Sequence, residues 1–436
     1  MKRTEGAAAF CRNLSEKPSG SALQDRACGR IPDFLNTMGE ASMDKSFFDT
    51  PLDRRGTGSL KWDVADHELP MWVADMDFPT APAVSEAIRK RAEHGAFGYS
   101  IIPDEWNLAI CDWWQRRHGF RIDPEWLVFC TGVVPAISSS VRKLTTVGEN
   151  VVLMTPVYNI FFNSVVNNGR HVLESPLSYD GSAYSIDFED FEKKLADPET
   201  SLLILCNPHN PIGKIWDRET LSMIGSLCKK HHVTVISDEI HCDLCDPGKE
   251  YIPFASVSEE CREISVTCIA PTKTFNLAGL QTAAVVIPDE TLRHRVTRAL
   301  NTDEVAEPNA FAVTAAIAAF RDGEEWLDTL RSYIYDNKQT AVRFIESEIG
   351  MIRPVASEAT YLLWLDCTAL TNDSAQLADF LRQRTGLYLS AGTVYGGNGR
   401  GFLRMNLACP ALTLEDGLGR LKRGIDQFRT EFQKKT

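Results

Sequence analysis

The chain has 436 residues, of which 44% are hydrophobic and 24% charged, as in an ordinary globular protein. Its formal net charge of −13 disfavours nucleic acid and anionic membranes as partners, because little in the composition would attract phosphate groups electrostatically. The apolar runs are strand-length and too short to cross a bilayer, so no membrane association is expected.

Two segments precede the main pattern of helices and strands. Residues 1–44 mix Gly, Ser, Asn and charged residues without a sustained period, which predicts a flexible N-terminal extension. Residues 45–79 follow as an N-terminal segment that we expect to pack with a small C-terminal domain.

From about residue 80 onward, helical and strand patterns alternate. Val84, Ile88 and Ala92 recur every four residues, which predicts an amphipathic helix over residues 82–94. Short apolar runs bounded by turn residues then alternate with helical stretches; these runs are residues 151–154, 202–206, 233–237, 264–270 and 282–287. Such alternation predicts an α/β large domain over residues 80–323, with a mostly parallel central sheet flanked by helices.

The pattern changes after about residue 323. A long helical stretch over residues 324–348 leads to strand-like runs at residues 361–366 and 401–406. A closing amphipathic helix begins near Leu414. These elements predict a smaller α+β domain over residues 324–436.

The twelve cysteines are scattered without a disulfide framework. In a chain of this length, that usage predicts reduced thiols and a cytoplasmic location. Cys242 and Cys245 have C-x-x-C spacing, but no second pair or histidine pattern accompanies them, which favours buried thiols over a zinc or redox site. No metal is therefore predicted.

Polar residues follow three of the predicted buried strands. Asn210 lies in the turn after residues 202–206, Asp238 follows residues 233–237, and Lys273 follows residues 264–270. In a mostly parallel sheet, ligands bind outside the carboxyl ends of the strands. We therefore expect these three side chains to face one ligand.

This set of groups suits pyridoxal 5'-phosphate (PLP). The cofactor needs a lysine that forms an imine with it and later moves a proton, and Lys273 supplies the amine. It also needs a carboxylate that keeps the pyridine nitrogen protonated, and Asp238 supplies it. The amide of Asn210 can donate to the ring hydroxyl. Val133 and Val134 precede a predicted helix over residues 136–147, so their backbone N–H groups can hold the phosphate at a helix N-terminus. The hydroxyl of Thr272 can add to this phosphate site.

The three blocks, in this order, resemble the fold-type I PLP enzymes, the aspartate aminotransferase superfamily. Residues 70–78, 237–241 and 275–280 are similar to its cystathionine β-lyase branch, which is related to the maltose-regulon modulator. The similarity runs from about Phe47 to the C-terminus. It implies the same fold, with a large PLP-binding domain and a smaller α+β domain.

The resemblance also implies individual roles. Lys273 is the Schiff-base lysine, Asp238 the partner of the pyridinium nitrogen, and Asn210 the partner of the ring oxygen. Tyr158 stacks its ring on the cofactor. Tyr99 matches the tyrosine that reaches the phosphate of a neighbouring subunit, which implies a homodimer.

Arg404 matches the arginine that binds the substrate α-carboxylate, and Asp75 lies in a block expected near the substrate. Two positions depart from the pattern of many aminotransferases: His241 replaces a tyrosine, and Gln281 replaces an arginine eight residues after Lys273. His241 is expected beside the cofactor, either as a bystander or as a participant. Both departures weaken a plain aminotransferase interpretation.

The resemblance implies a PLP-dependent carbon–sulfur β-lyase acting on a small amino acid. Its substrates are expected to be cystathionine, cysteine or a cysteine S-conjugate, with pyruvate, ammonia and a thiol as products. Two alternatives stay open: a class I/II aminotransferase using the same site, and a PLP-bound regulatory protein. The presence of Lys273, Asp238 and Arg404 favours catalysis.

Overall fold

The computed structural model describes residues 43–432, so most of the predicted extension over residues 1–44 lies outside the described residues. Fifteen strands occur within this range. They are β1 (Leu69–Pro70), β2 (Leu127–Cys130), β3 (Asn150–Thr155), β4 (His171–Pro176), β5 (Ser178–Tyr179), β6 (Tyr184–Ser185), β7 (Thr200–Cys206), β8 (Thr234–Asp238), β9 (Ser265–Ile269), β10 (Ala283–Val286), β11 (Arg353–Pro354), β12 (Leu362–Asp366), β13 (Leu387–Tyr388), β14 (Ser390–Ala391) and β15 (Phe402–Asn406).

Thirteen α-helices lie between and around these strands in the same part of the chain. They are α1 (Pro82–Glu93), α2 (Asp104–His118), α3 (Val133–Leu144), α4 (Ile160–Val166), α5 (Phe188–Leu195), α6 (Arg218–Lys230), α7 (Glu259–Ile264), α8 (Pro271–Thr274), α9 (Glu290–Thr302), α10 (Ala312–Asp322), α11 (Glu324–Glu348), α12 (Ser374–Thr385) and α13 (Ala411–Phe432). Among helices of the described range, none is long and apolar enough to cross a membrane.

A seven-stranded sheet forms the centre of the fold, in the order β2-β10-β9-β8-β7-β3-β4. Strand β10 is antiparallel to both of its neighbours, and the other neighbouring pairs are parallel. The predicted α/β architecture, a mostly parallel central sheet flanked by helices, is confirmed.

The alternation of side chains along β7 shows why this sheet is covered on both faces. Leu202 and Ile204 belong to an apolar cluster that includes residues of α3. Leu203 and Leu205 belong to another cluster, which includes residues of α6. Successive side chains of a strand point to opposite faces, so a continuous apolar run requires a helix layer on each side.

A second sheet follows in the C-terminal part, with the antiparallel order β11-β12-β15-β14. Residues of α11, α12 and α13 share an apolar cluster with β12 and β15. Strand β1 from the N-terminal segment pairs in parallel with β13. The boundaries 45–79, 80–323 and 324–436 stay predictions, because sheet membership alone does not define where one domain ends.

Strands β2 and β4 and helix α12 were missing from the sequence expectation. Strand β4 lies at the edge of the central sheet, and its residues range from buried to exposed, so no continuous apolar run marks it. The predicted helix over residues 136–147 begins three residues earlier, as α3 at Val133. That earlier start matters, because it places Val133 and Val134 in the first turn of the helix.

Candidate active site

The carboxyl ends of β7, β8 and β9 meet at one edge of the sheet, because these strands are parallel neighbours. Asp238 is paired with Cys206 at the end of β7 and with Cys268 near the end of β9. The turn carrying Asn210 leaves β7 here, and α8, which carries Lys273, begins just after β9. The three predicted strand-end blocks are therefore brought together.

Lys273 is half-buried on α8, and its Nζ donates a hydrogen bond to the carbonyl oxygen of Ala74 at 2.5 Å. Burial lowers the pKa of Lys273 from 10.5 to about 8, against the opposing attraction of the Asp75 and Asp238 carboxylates. The positive charge of Arg404 adds to the lowering. Near pH 8 the amine is thus substantially neutral, which is the form that attacks a carbonyl carbon.

Asp238 ends β8 and is 4% exposed. Its Oδ1 accepts a hydrogen bond from Ile240 N at 3.1 Å. Burial raises the pKa of Asp238 to about 7, although that hydrogen bond and the charge of Lys273 act in the other direction. A buried carboxylate of this kind is stabilised in its charged form by a cation placed beside it, and a protonated pyridine nitrogen is such a cation.

Arg404 lies in the middle of β15 and is 5% exposed. Its Nη1 donates to Asn210 Oδ1 at 3.1 Å, and its Nη2 donates to Trp72 O at 2.9 Å. The guanidinium also lies over the ring of Tyr395, 5.0 Å from its centre. Its buried Nε has no hydrogen-bond partner among residues 43–432, so a donor remains for a ligand.

The contact with Arg404 also orients Asn210. Because the amide oxygen of Asn210 accepts from Arg404, the NH₂ group is the end left to donate to a ligand. Asn210, the predicted partner of the cofactor ring oxygen, and Arg404, the predicted carboxylate-binding residue, are therefore in direct contact.

His241 is 3% exposed, and its ring meets the ring of Tyr361 edge-on at 6.1 Å between centres. Burial, together with the charges of Lys273 and Arg404, lowers the pKa of His241 to about 3, so the imidazole is neutral. Its buried Nδ1 lacks a hydrogen-bond partner in the described part of the chain. The structure thus places His241 beside Tyr361 with its buried Nδ1 free to bind a ligand.

Tyr158 follows β3, with its ring edge-on to Phe161 at 5.6 Å between centres. Burial raises the pKa of Tyr158 to about 12, with Arg404 opposing and Asp238 adding to the rise. The charges of Arg404 and Asp238 therefore both act on the Tyr158 hydroxyl. Its predicted stacking on the cofactor stays a prediction.

Two features form the predicted phosphate end. Val133 and Val134 begin α3, and the first hydrogen bond to Gly132 O comes from Ala136 N, so the N–H groups of residues 133 and 134 have no partner within the helix and can bind an anion. Thr272 is buried at the start of α8. Gln281, where many aminotransferases have arginine, is exposed.

Asp75 and Tyr99 differ from the other predicted site residues. The Asp75 carboxylate is paired with Arg54 Nη2 at 2.8 Å and lies 3.8 Å from Lys61 Nζ. It acts on the charge of Lys273, but its own oxygens are engaged within the N-terminal segment. Tyr99 is fully exposed, so it does not lie among the buried residues of the site.

Sequence reasoning missed the contribution of the segment 72–76, which lines the cleft with backbone oxygens. Ala74 O accepts from Lys273 and from Tyr361, while Trp72 O accepts from Arg404. Asn406 Nδ2 donates to the carbonyl oxygens of residues 73 and 75, at 2.6 Å each. Backbone acceptors carry no residue-type signal, but the polar Tyr361 at the head of an apolar run could have been noticed.

This cleft has the donor set of a PLP enzyme: a lysine of lowered pKa, a buried carboxylate, an amide and a helix N-terminus. Comparison with known proteins agrees. Residues 69–421 match the family described as aminotransferase class I and II, and the chain belongs to this family.

Individual relatives show which proteins of this family the chain is similar to. The chain is 46% identical to cystathionine beta-lyase PatB of Bacillus subtilis, over 87% of this chain and 99% of the relative. It is 35% identical to protein MalY of Escherichia coli, over 88% and 99%. Its fold matches cystalysin from Treponema denticola, whose crystal structure contains pyridoxal 5'-phosphate, with a TM-score of 0.85, 31% identity and coverage of 87% and 98%.

Proposed function

We propose that this protein is a PLP-dependent carbon–sulfur β-lyase that cleaves cystathionine, cysteine or a cysteine S-conjugate to pyruvate, ammonia and a thiol. One observation supports the proposal: Lys273 and Arg404 donate to backbone oxygens of the same short segment, at Ala74 and Trp72, and the Asp238 carboxylate acts on the charge of Lys273. The chain that builds this cleft is 46% identical, over most of its length, to a protein named cystathionine beta-lyase.

PLP, when bound, supplies an electron-accepting ring that acidifies the α-proton of an attached amino acid. Asp238 would hold the ring nitrogen protonated, and the Asn210 NH₂ group would donate to the ring oxygen. Lys273 Nζ would be the base that accepts the α-proton, and its pKa of about 8 suits that task near neutral pH.

Arg404 would bind the α-carboxylate of the substrate through the N–H groups that Asn210 and Trp72 leave free. This contact fixes the amino acid relative to Lys273, so that the α-proton faces the amine. A substrate with sulfur on its β-carbon can then lose a thiolate before Lys273 returns the proton, which is the difference between elimination and transamination.

A homodimer is part of the proposal. Tyr99 is fully exposed on a loop that also exposes the apolar side chains of Phe97 (55%) and Ile101 (80%). Exposed apolar groups this close together favour burial against another protein surface. A second copy of the chain would cover them and would bring Tyr99 to the phosphate end of the neighbouring cleft.

A cytoplasmic location is likewise proposed. The ten cysteines for which the structure gives a state are free thiols, and nine of them are buried. Free thiols in such number suit a reducing compartment.

Product analysis with cystathionine tests the proposed reaction. The holoprotein alone should release pyruvate and ammonia over many turnovers without any added keto acid. An aminotransferase would stop after one half-reaction, and a regulatory protein would not turn over. If cystathionine, cysteine and aryl cysteine conjugates give no pyruvate, while another amino acid reacts only when a keto acid is added, the lyase proposal is wrong.

A further inference from the structure

The carbonyl oxygen of Ala74 accepts two hydrogen bonds inside the cleft. Lys273 Nζ donates to it at 2.5 Å, and the hydroxyl of Tyr361 donates to it at 3.0 Å. A carbonyl oxygen has two lone pairs, so these two donors use its full capacity. The amine and the hydroxyl are therefore fixed relative to each other by one shared atom.

Tyr361 lies immediately before β12 of the second sheet, and Lys273 lies on α8, which follows β9 of the central sheet. The residue before the tyrosine, Thr360, has φ of 68°. That left-handed conformation is rare for a β-branched residue and strains the backbone.

Several contacts hold Thr360 in this conformation. It is buried, its N donates to Leu244 O at 2.7 Å, and its Oγ1 accepts from Leu362 N at 3.1 Å. Strain that the surroundings enforce in this way is common at functional sites. Here it directs the chain just before Tyr361 turns into the cleft.

The Tyr361 hydroxyl keeps its proton near neutral pH, so it can donate a hydrogen bond. Its side chain is fully buried, and burial raises its pKa well above the ordinary value of 10, with the Asp75 carboxylate adding to the rise. A phenol that stays protonated cannot remove the α-proton. What it can do is hold Ala74 O in place.

We propose that Tyr361 is a positioning residue that aims the free amine of Lys273, acting through the carbonyl of Ala74. The inference rests on the proposed function, because only a lysine that leaves and rejoins the cofactor needs to be aimed while it is free. When Lys273 is bonded to the cofactor, the tyrosine keeps the carbonyl in position. When a substrate takes that bond over, the freed amine meets an acceptor already oriented.

The test variant is Tyr361→Phe, which removes the hydroxyl and keeps the buried ring. Cofactor content and KM should stay close to those of the wild type, while kcat falls about three- to tenfold, the range for one neutral hydrogen bond. The kinetic isotope effect with α-deuterated substrate should increase, because proton removal by a poorly aimed amine becomes slower. A matched control is Tyr179→Phe, which removes a hydroxyl that donates to Asp366 at the far end of β12 and should change none of these quantities.

A second readout does not depend on turnover. In the apoprotein, the pH dependence of acylation at Lys273, followed by peptide mass spectrometry, reports the pKa of its amine. Loss of the tyrosine leaves Ala74 O to the lysine alone, so the midpoint should rise in Tyr361→Phe and stay unchanged in Tyr179→Phe. An unchanged midpoint together with an unchanged isotope effect would overturn the proposal.

These outcomes are separable from failure of the proposed function. Exchange of the α-proton of alanine in D₂O requires Lys273 but no leaving group. If the wild-type protein exchanges this proton but releases no pyruvate from any thioether, the lyase assignment is wrong, and the role of Tyr361 is still decided by the exchange rate of Tyr361→Phe. An exchange rate equal to that of the wild type would contradict the positioning role.

Discussion

Recognition of the substrate α-carboxylate by Arg404 can be tested quantitatively. Of the five N–H donors of a guanidinium, one is engaged by Asn210 Oδ1 and one by Trp72 O, so three remain, including that on the buried Nε. A hydrogen bond to a charged group contributes roughly 1.5–3 kcal/mol. Since about 1.4 kcal/mol is a factor of ten, even one such bond predicts that Arg404→Ala lowers kcat/KM for cystathionine about 10- to 100-fold.

The assay compares an acid substrate with its α-carboxamide. The Arg404→Ala penalty should appear with the acid and largely disappear with the amide, because the amide carries no charge for the guanidinium to bind. Arg382→Ala serves as the control, since Arg382 stacks on Tyr388 at 3.8 Å and pairs with Glu68 instead of lining the cleft. An equal loss with both substrates, or no loss with the acid, would refute the assignment of Arg404.

Three further predictions concern the cofactor site and the assembly. Because burial lowers the pKa of Lys273 to about 8, the rate at which apoprotein forms a borohydride-reducible bond with PLP at Lys273 should rise with pH and level off above about 8. A rate that climbs steadily toward the ordinary lysine value of 10.5, or a label on another lysine, contradicts this. Asp238→Asn should retain the cofactor but lose about 10²–10³-fold in kcat, the cost of removing one electrostatic stabiliser, and activity near that of the wild type would exclude the pyridinium role. Sedimentation at micromolar concentration should show a dimer, and a fully active monomer would rule out the cross-subunit role of Tyr99.

The central sheet was predictable because its inner strands are buried on both faces. The run that became β7 is continuously apolar, and those that became β8 and β9 are mostly apolar with single Ser and Thr residues. All three end in turn residues, so both their type and their order could be predicted from the sequence. The direction of β10 could not be predicted, because an apolar segment does not indicate whether its strand is parallel or antiparallel to its neighbours. The edge strand β4 was missed because its side chains are partly exposed, so no apolar segment marks it.

The site was predictable where chemistry demands a residue type. Lys273, Asp238 and Arg404 each carry a charge that would be costly to bury without a partner, so their positions within or after apolar strands signalled a ligand. The engagement of Asp75 by Arg54 could not be foreseen, because it depends on how residues 21 positions apart fold back on each other. The role of Ala74 could not be foreseen either, because its backbone oxygen accepts a hydrogen bond from Lys273, almost two hundred residues later in the chain.

The segment 72–76 has a consequence for how substrate range can change in this protein. Lys273, Arg404 and Asn406 donate hydrogen bonds to the peptide carbonyls of this segment, which are present whatever side chains it carries. Val73 and Ala74 themselves are only half-buried. Side chains at these two positions can therefore be exchanged without deleting any of these backbone hydrogen bonds. If the proposed function is right, residues 73 and 74 are the positions where substrate range could change while the hydrogen bonds of Lys273, Arg404 and Asn406 stay in place.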